Sequence, residues 1–140
     1  MVLRPEALRE RLLRLEEVTS RLEELARTEP LTPASFRDTW AVERGLHLAA
    51  EIVFDIGNHI LSAHFGVSAA DYEDILVQLA RREVIPASLL ERLKGLGGFR
   101  NILVHGYLRV DPKRVQEFLR AAPAQFSEFA AAIRRWLTTG

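Results

Sequence analysis

Gly98-Phe99-Arg100-Asn101-Ile102-Leu103-Val104-His105-Gly106-Tyr107 closes an apolar helical segment and reads R-N-x-x-x-H-x-Y. It sets a permanent cation, an imidazole and a phenol within one short span. An imidazole titrates near neutral pH, a guanidinium binds phosphate with two prongs, and a phenol can accept a modification. No other segment of the chain concentrates so much usable chemistry.

The surrounding sequence is helical in pattern, with no strand-like alternation and no internal repeat. Leu8, Leu12, Leu15, Leu22 and Leu25 form one apolar stripe that predicts a first helix from about Pro5 to Ala26. Pro5 suits its first turn. Thr28-Glu29-Pro30-Leu31-Thr32-Pro33 then breaks the pattern. A second helix is expected from about Pro33 to His64, capped by Thr32, with Trp40, Leu48, Ile52, Val53, Ile56 and Ile60 as its buried face. At roughly 30 residues it would be about 45 Å long. Such a helix bends near Gly45 or Gly57, or spans a dimer. Ser68 is the expected cap of a third helix, about Ala69 to Arg82, with Asp71 in its first turn.

Pro86 opens a fourth helix, whose Leu89, Leu90, Leu93 and Leu96 lead into the motif. Gly97-Gly98 costs that helix about 1 kcal/mol per glycine relative to Ala. A kink or the close approach of another helix would justify the pair. Gly106 is the expected stop. A fifth helix runs from about Pro112 to Leu137, and Pro123 is expected to kink or split it. Phe118, Phe126, Phe129 and Trp136 recur at helical spacing and join Trp40 as expected core. The sum is an all-α, up-and-down bundle of four to five helices in a single domain over residues 1–140.

Composition narrows the function. The chain has 140 residues, 48% apolar and 27% charged, an ordinary balance for one soluble domain. The apolar residues never run long enough for a membrane span. The N-terminus turns charged at once, unlike a signal peptide, so a cytoplasmic location is expected. With no Cys, disulfides and thiolate metal sites are excluded. The formal net charge is zero, so any nucleic-acid contact must come from a local patch.

Within a helix, Asn101 and His105 are four apart and share a face, so the Asn101 amide can orient the His105 ring. His105 stands in the last turn, where the negative end of the helix dipole favours a cation. Arg100 lies about 140° round the helix from His105. The two converge through arginine's length or through a second copy of the chain, which the glycine pair would admit. A symmetric dimer would bring two Arg100 and two His105 into one cleft. Such a cleft suits a phosphodiester: arginine stabilises the added charge and histidine moves the protons, with no metal or cofactor. The expected reaction is RNA cleavage by attack of the ribose 2′-hydroxyl.

On these residues the chain resembles the HepT-like toxins of the HEPN superfamily. Residues 98–107 fit that family's R-x-x-x-x-H-x-Y signature with its GFRN lead. Asp55-Ile56-Gly57-Asn58-His59-Ile60 resembles its second-helix signature, Glu43-Arg44 the start of that helix, and Tyr72 and Ile85-Pro86 also fit. The resemblance covers about residues 5 to 135. It implies a HEPN-like bundle, a symmetric homodimer and a composite ribonuclease cleft. It also implies a catalytic pair of Arg100 and His105, with Asn101 as the supporting polar residue. Tyr107 would be the tyrosine that a minimal nucleotidyltransferase antitoxin AMPylates, as in a type VII (HepT/MntA-like) toxin–antitoxin pair. Added charge and bulk there would oppose RNA phosphate. A second reading is a non-catalytic helical adaptor, or a substrate-presenting partner, of a nucleotidyltransferase.

The remaining polar residues admit several roles. Glu51, Asp55 and His59 share a face of the second helix. They could form a metal site, a polar wall of the cleft, or a hydrogen-bonded cluster between helices. His47 and His64 read as surface or helix-end residues, and Arg81-Arg82 and Arg134-Arg135 as solvated faces. Arg109, Lys113 and Arg114 stand where RNA backbone could be held.

Overall fold

A computed structural model describes residues 2–27, 36–106, 108 and 110–139. Among these residues every regular element is a helix: α1 (Pro5–Ala26), α2 (Phe36–Phe65), α3 (Tyr72–Arg81), α4 (Ala87–Leu93), α5 (Leu96–His105) and α6 (Pro112–Thr139). Chain neighbours pack together, α1 on α2, α2 on α3 and α3 on α4, while α6 returns to α1, α2 and α4. α5 is held between α2 and α3. None of these helices is long and apolar enough to cross a membrane.

The leucine stripe of α1 does what its spacing demands. Leu8, Leu12, Leu15 and Leu22 are buried against a core that also takes Val42, Leu46, Val53, Ile56 and Ile60 from α2. Phe126, Phe129 and Ile133 of α6 complete it. Phe99 and Phe118 stack with centroids 3.7 Å apart, fastening α5 to α6. Trp40 departs from expectation: it is 67% exposed and meets Phe36 edge-on, so it is not a core residue in this chain.

Other differences have local causes. The cap of α3 is Asp71, not Ser68. Asp71 Oδ1 accepts from the Asp74 N–H at 2.8 Å, and Asp74 Oδ2 accepts from the Ala70 N–H at 2.9 Å. That reciprocal pair fixes the helix start. The expected fourth helix is one rod broken into α4 and α5, because Gly95 adopts φ +91°, which favours glycine. Pro123 does not split α6; it lies buried inside an unbroken helix. The expected caps at Thr32 and Pro33 lie outside the described residues.

The helix glycines mark close approaches. A Cβ on Gly57 would lie 2.6 Å from Ile75 Cγ2 of α3, and one on Gly45 2.8 Å from Leu22 Cδ2 of α1. The Gly97-Gly98 pair divides its roles. Gly97 faces Glu73, whose carboxylate accepts from the Gly97 N–H at 2.6 Å and the Gly95 N–H at 3.3 Å. Glu73 thereby satisfies the free donors at the start of α5 and brings an anion to its positive end. Among the described residues, nothing stands within 4 Å of a Cβ placed on Gly98.

Candidate functional site

The start of α5 is pinned by Glu73, and Phe99 is buried beside Phe118. The next residue, Arg100, is therefore delivered onto the α2–α3 seam. Its side chain is only 13% exposed. The Nε–H donates to Glu51 Oε1 of α2. One Nη1–H donates to Asn101 Oδ1 at 3.2 Å. The guanidinium lies over the Tyr72 ring, 4.4 Å from Cζ to centroid. Tyr72 is backed by Phe54, whose centroid is 4.9 Å away. Arg100 is thus held on two edges and one face.

Glu51 belongs to a polar line along α2. His47 Nε2 lies 3.7 Å from Glu51 Oε1, and Arg44 Nη1 lies 3.2 Å from His47 Nδ1. Arginine can only donate, so Nδ1 accepts. Neutral His47 therefore carries its proton on Nε2, facing Glu51. Burial holds His47 below its ordinary pKa; Glu51 pulls it up, while Arg44 and Arg100 push it further down. Burial also raises Glu43. Trp40, Glu43, Arg44, His47 and Leu103 line a groove of about 260 Å³. Beyond Glu51 a second groove, about 370 Å³, runs past Asp55, Asn58 and Tyr72 over Leu48 and Ile52.

The structure divides the trio of Glu51, Asp55 and His59. Glu51 takes Arg100. Asp55 pairs with Arg11 of α1 at 2.6 Å, and His59 Nε2 accepts from the Arg4 N–H at 3.5 Å. No group of three or more His, Asp or Glu among the described residues is placed to hold a metal ion. His47, read from sequence as a surface residue, is instead part of the Arg100 surroundings. His47 is the contributor that sequence reasoning missed, and Tyr72 is named there only for its fit to the family, with no role; extending the Glu51–Asp55 spacing back to His47 finds the first of them.

His105 stands at the other end of α5, on an exposed turn capped by the Gly106 N–H to Ile102 C=O bond of 2.9 Å. Gly106 has φ −100°, so no left-handed turn is needed there. Asn101 is exposed and engages Arg100; among the described residues no hydrogen bond joins it to His105. Arg100 and His105 therefore look in different directions from one chain. Phe36, Trp40 and Leu108 are large apolar residues left exposed at 58%, 67% and 88%, and Trp40 shares a groove with Leu103 of the motif. Tyr107 and Arg109 lie outside the described residues.

Comparison with known proteins agrees with this fold. Residues 10–133 match the family model described as ribonuclease HepT-like. The chain is 30% identical over 107 residues to the tRNA nuclease HepT of Aphanizomenon flos-aquae, covering 76% of this chain and 72% of that one. Its fold is similar to that of YutE, a cytosolic protein from Bacillus subtilis, with TM-score 0.84 at 24% identity over 99% of this chain and 94% of that one. It is also similar to a tri-AMPylated HEPN toxin of Shewanella oneidensis solved in complex with its MNT antitoxin. That match has TM-score 0.81 at 22% identity, covering 91% and 96% of the two chains. The two structural likenesses are likenesses of fold.

Proposed function

This chain belongs to the ribonuclease HepT-like family, and on that premise we propose that it is an endoribonuclease whose site is completed by a second copy of itself. The observation that carries the reading is the division of α5. Arg100, midway along the helix, is locked inward on Glu51 and Tyr72, while His105 stands exposed at its C-terminal end. A symmetric homodimer lets the arginine of one protomer work with the histidine of the other. Exposed Trp40, Phe36 and Leu108, and the open face of Gly98, offer apolar surface and clearance for that contact.

In the proposed reaction the O2′–P bond forms and the P–O5′ bond breaks. A neutral His105 takes the 2′-hydroxyl proton, and a protonated His105 gives one to O5′, leaving a 2′,3′-cyclic phosphate. Arg100 stabilises the charge gathered on the phosphoryl oxygens. No step calls for a metal ion. Asn101 supports the site through Arg100, whose Nη1 it holds. The partner proposed for control is a minimal nucleotidyltransferase antitoxin that transfers AMP to Tyr107, two residues beyond His105. The added charge would stand where RNA phosphate must lie.

Purified protein is expected to cut RNA in the presence of EDTA, and His105→Ala to lower cutting about 10²- to 10⁴-fold with the helical content unchanged. Cutting that survives the substitution at the wild-type rate refutes the assignment. Stable binding of a nucleotidyltransferase without any RNA cleavage would favour the adaptor reading instead. With partner and ATP, intact mass is expected to rise by whole AMP units, and Tyr107→Phe to prevent it.

A further inference from the structure

We infer that Glu51 and Tyr72 are positioning residues that aim the terminal nitrogens of Arg100 at phosphate, an inference that rests on the ribonuclease reading. A guanidinium carries five N–H donors in one rigid plane. Glu51 takes the Nε–H, and Asn101 takes one Nη1–H. Tyr72 covers one face of the plane, and Phe54 keeps Tyr72 from tilting away. What remains is the far end of the fork, the second Nη1–H and the two Nη2–H bonds. That end presents a matched pair of donors to two oxygens of one phosphate.

The three constraints come from different elements, Glu51 from α2, Tyr72 from α3 and Asn101 from α5 itself. Each blocks a different motion: Glu51 fixes the in-plane rotation and Tyr72 the tilt. A flexible arginine would lose side-chain entropy each time it met substrate. One already held in place has lost it on folding, so its charge is available to the transition state without reorganisation. Glu51 also keeps a neutralising charge beside a cation whose side chain is only 13% exposed, without occupying the fork.

A purely structural role and a competitive role for Glu51 predict different results. If the Glu51–Arg100 pair only ties α2 to α5, its loss lowers stability and leaves turnover per folded molecule unchanged. If Glu51 competes with phosphate for Arg100, its loss tightens RNA binding. Glu51→Gln keeps the shape and an acceptor oxygen but removes the charge. It is expected to lower kcat about 10- to 100-fold, the effect of misplacing a positioned group by about an ångström. KM should stay within about threefold. Tyr72→Phe keeps the aromatic face and should retain activity, whereas Tyr72→Leu removes it and should behave like Glu51→Gln.

The second readout is NMR relaxation of the Arg100 Nε–H group, which needs no substrate. Its order parameter is expected to fall below about 0.6, the flexible range, in Glu51→Gln and Tyr72→Leu, and to stay high in Tyr72→Phe. An Arg100 that stays rigid in both disrupting variants overturns the inference. So does a loss of order with kcat unchanged, or a lowered KM. A wild-type protein that cuts no RNA counts against the ribonuclease reading; the arginine's order then decides the positioning claim alone, supporting it if lost and overturning it if kept.

Discussion

The first half of α5 and its last turn are built to opposite plans. In the first half, Glu73 holds the free N–H groups, Phe99 is buried on Phe118, and Arg100 is gripped by Glu51, Asn101 and Tyr72. In the last turn, His105 is exposed and Asn101, its neighbour by helical spacing, is occupied elsewhere. On the proposed ribonuclease reading, one chain prepares the charge-stabilising half of a phosphodiester site and leaves the proton-moving half facing outward. Dimerisation is then part of the proposed chemistry and not a separate matter of assembly.

The contrast between the two is expected to collapse when either one is removed. Arg100→Ala should lower kcat about 10²- to 10³-fold, the effect of deleting a transition-state donor. His105→Ala should cost about 10²- to 10⁴-fold as the acid–base group is lost. Steady-state cleavage of a labelled RNA measures both. Unequal dependence on subunit concentration between the two variants would show that one of them damages assembly.

A gentler pair of substitutions asks which face of α5 is already filled. A Cβ on Gly97 would lie 3.1 Å from the Glu73 backbone nitrogen, so Gly97→Ala is expected to destabilise the fold by about 1–3 kcal/mol. A Cβ on Gly98 would meet nothing within 4 Å among the described residues. Gly98→Ala should therefore stabilise an isolated protomer by up to about 1 kcal/mol through helix propensity. If a second copy approaches there, the same change weakens the dimer. Thermal unfolding with light scattering separates the outcomes.

The smallest effect concerns the polar line beside Arg100. Burial, with Arg44 and Arg100, holds the His47 pKa below its ordinary value against the pull of Glu51. The unfolded chain then binds more protons than the folded one, so stability rises with pH through this window. The penalty is full below the folded pKa and gone above the ordinary histidine value of about 6.5. Acidification from pH 7 to pH 5 should lower Tm, and His47→Gln should blunt the drop. An identical drop in both proteins would show that His47 plays no part in it.

Much of this is readable along the chain, and the rest is not for identifiable reasons. α1 is legible at both ends because Pro5 and the leucine stripe act locally. α3 offers two cap residues three positions apart, Ser68 and Asp71, and only the reciprocal Asp71–Asp74 bonds choose between them. The break before α5 depends on the left-handed backbone at Gly95, which the leucine spacing runs straight through. Arg100 and His105 are visible as a motif. Arg100's partners are not, because Glu51 is 49 residues away and becomes a neighbour only when α2 packs on α5. Hydrophobicity alone misplaces Trp40, which is 67% exposed and packs edge-on only against Phe36 among the described aromatic residues.

Subunit mixing decides whether the site is shared. Arg100→Ala and His105→Ala proteins, each nearly inactive alone, are combined in equal amounts under conditions that let protomers exchange. If arginine and histidine act across the interface, half of the dimers become mixed and each mixed dimer holds one intact pair, so about a quarter of wild-type RNA cleavage should return. Cleavage that stays at the level of the separate variants, with mixed dimers shown to form, would contradict a site shared between two copies of this chain.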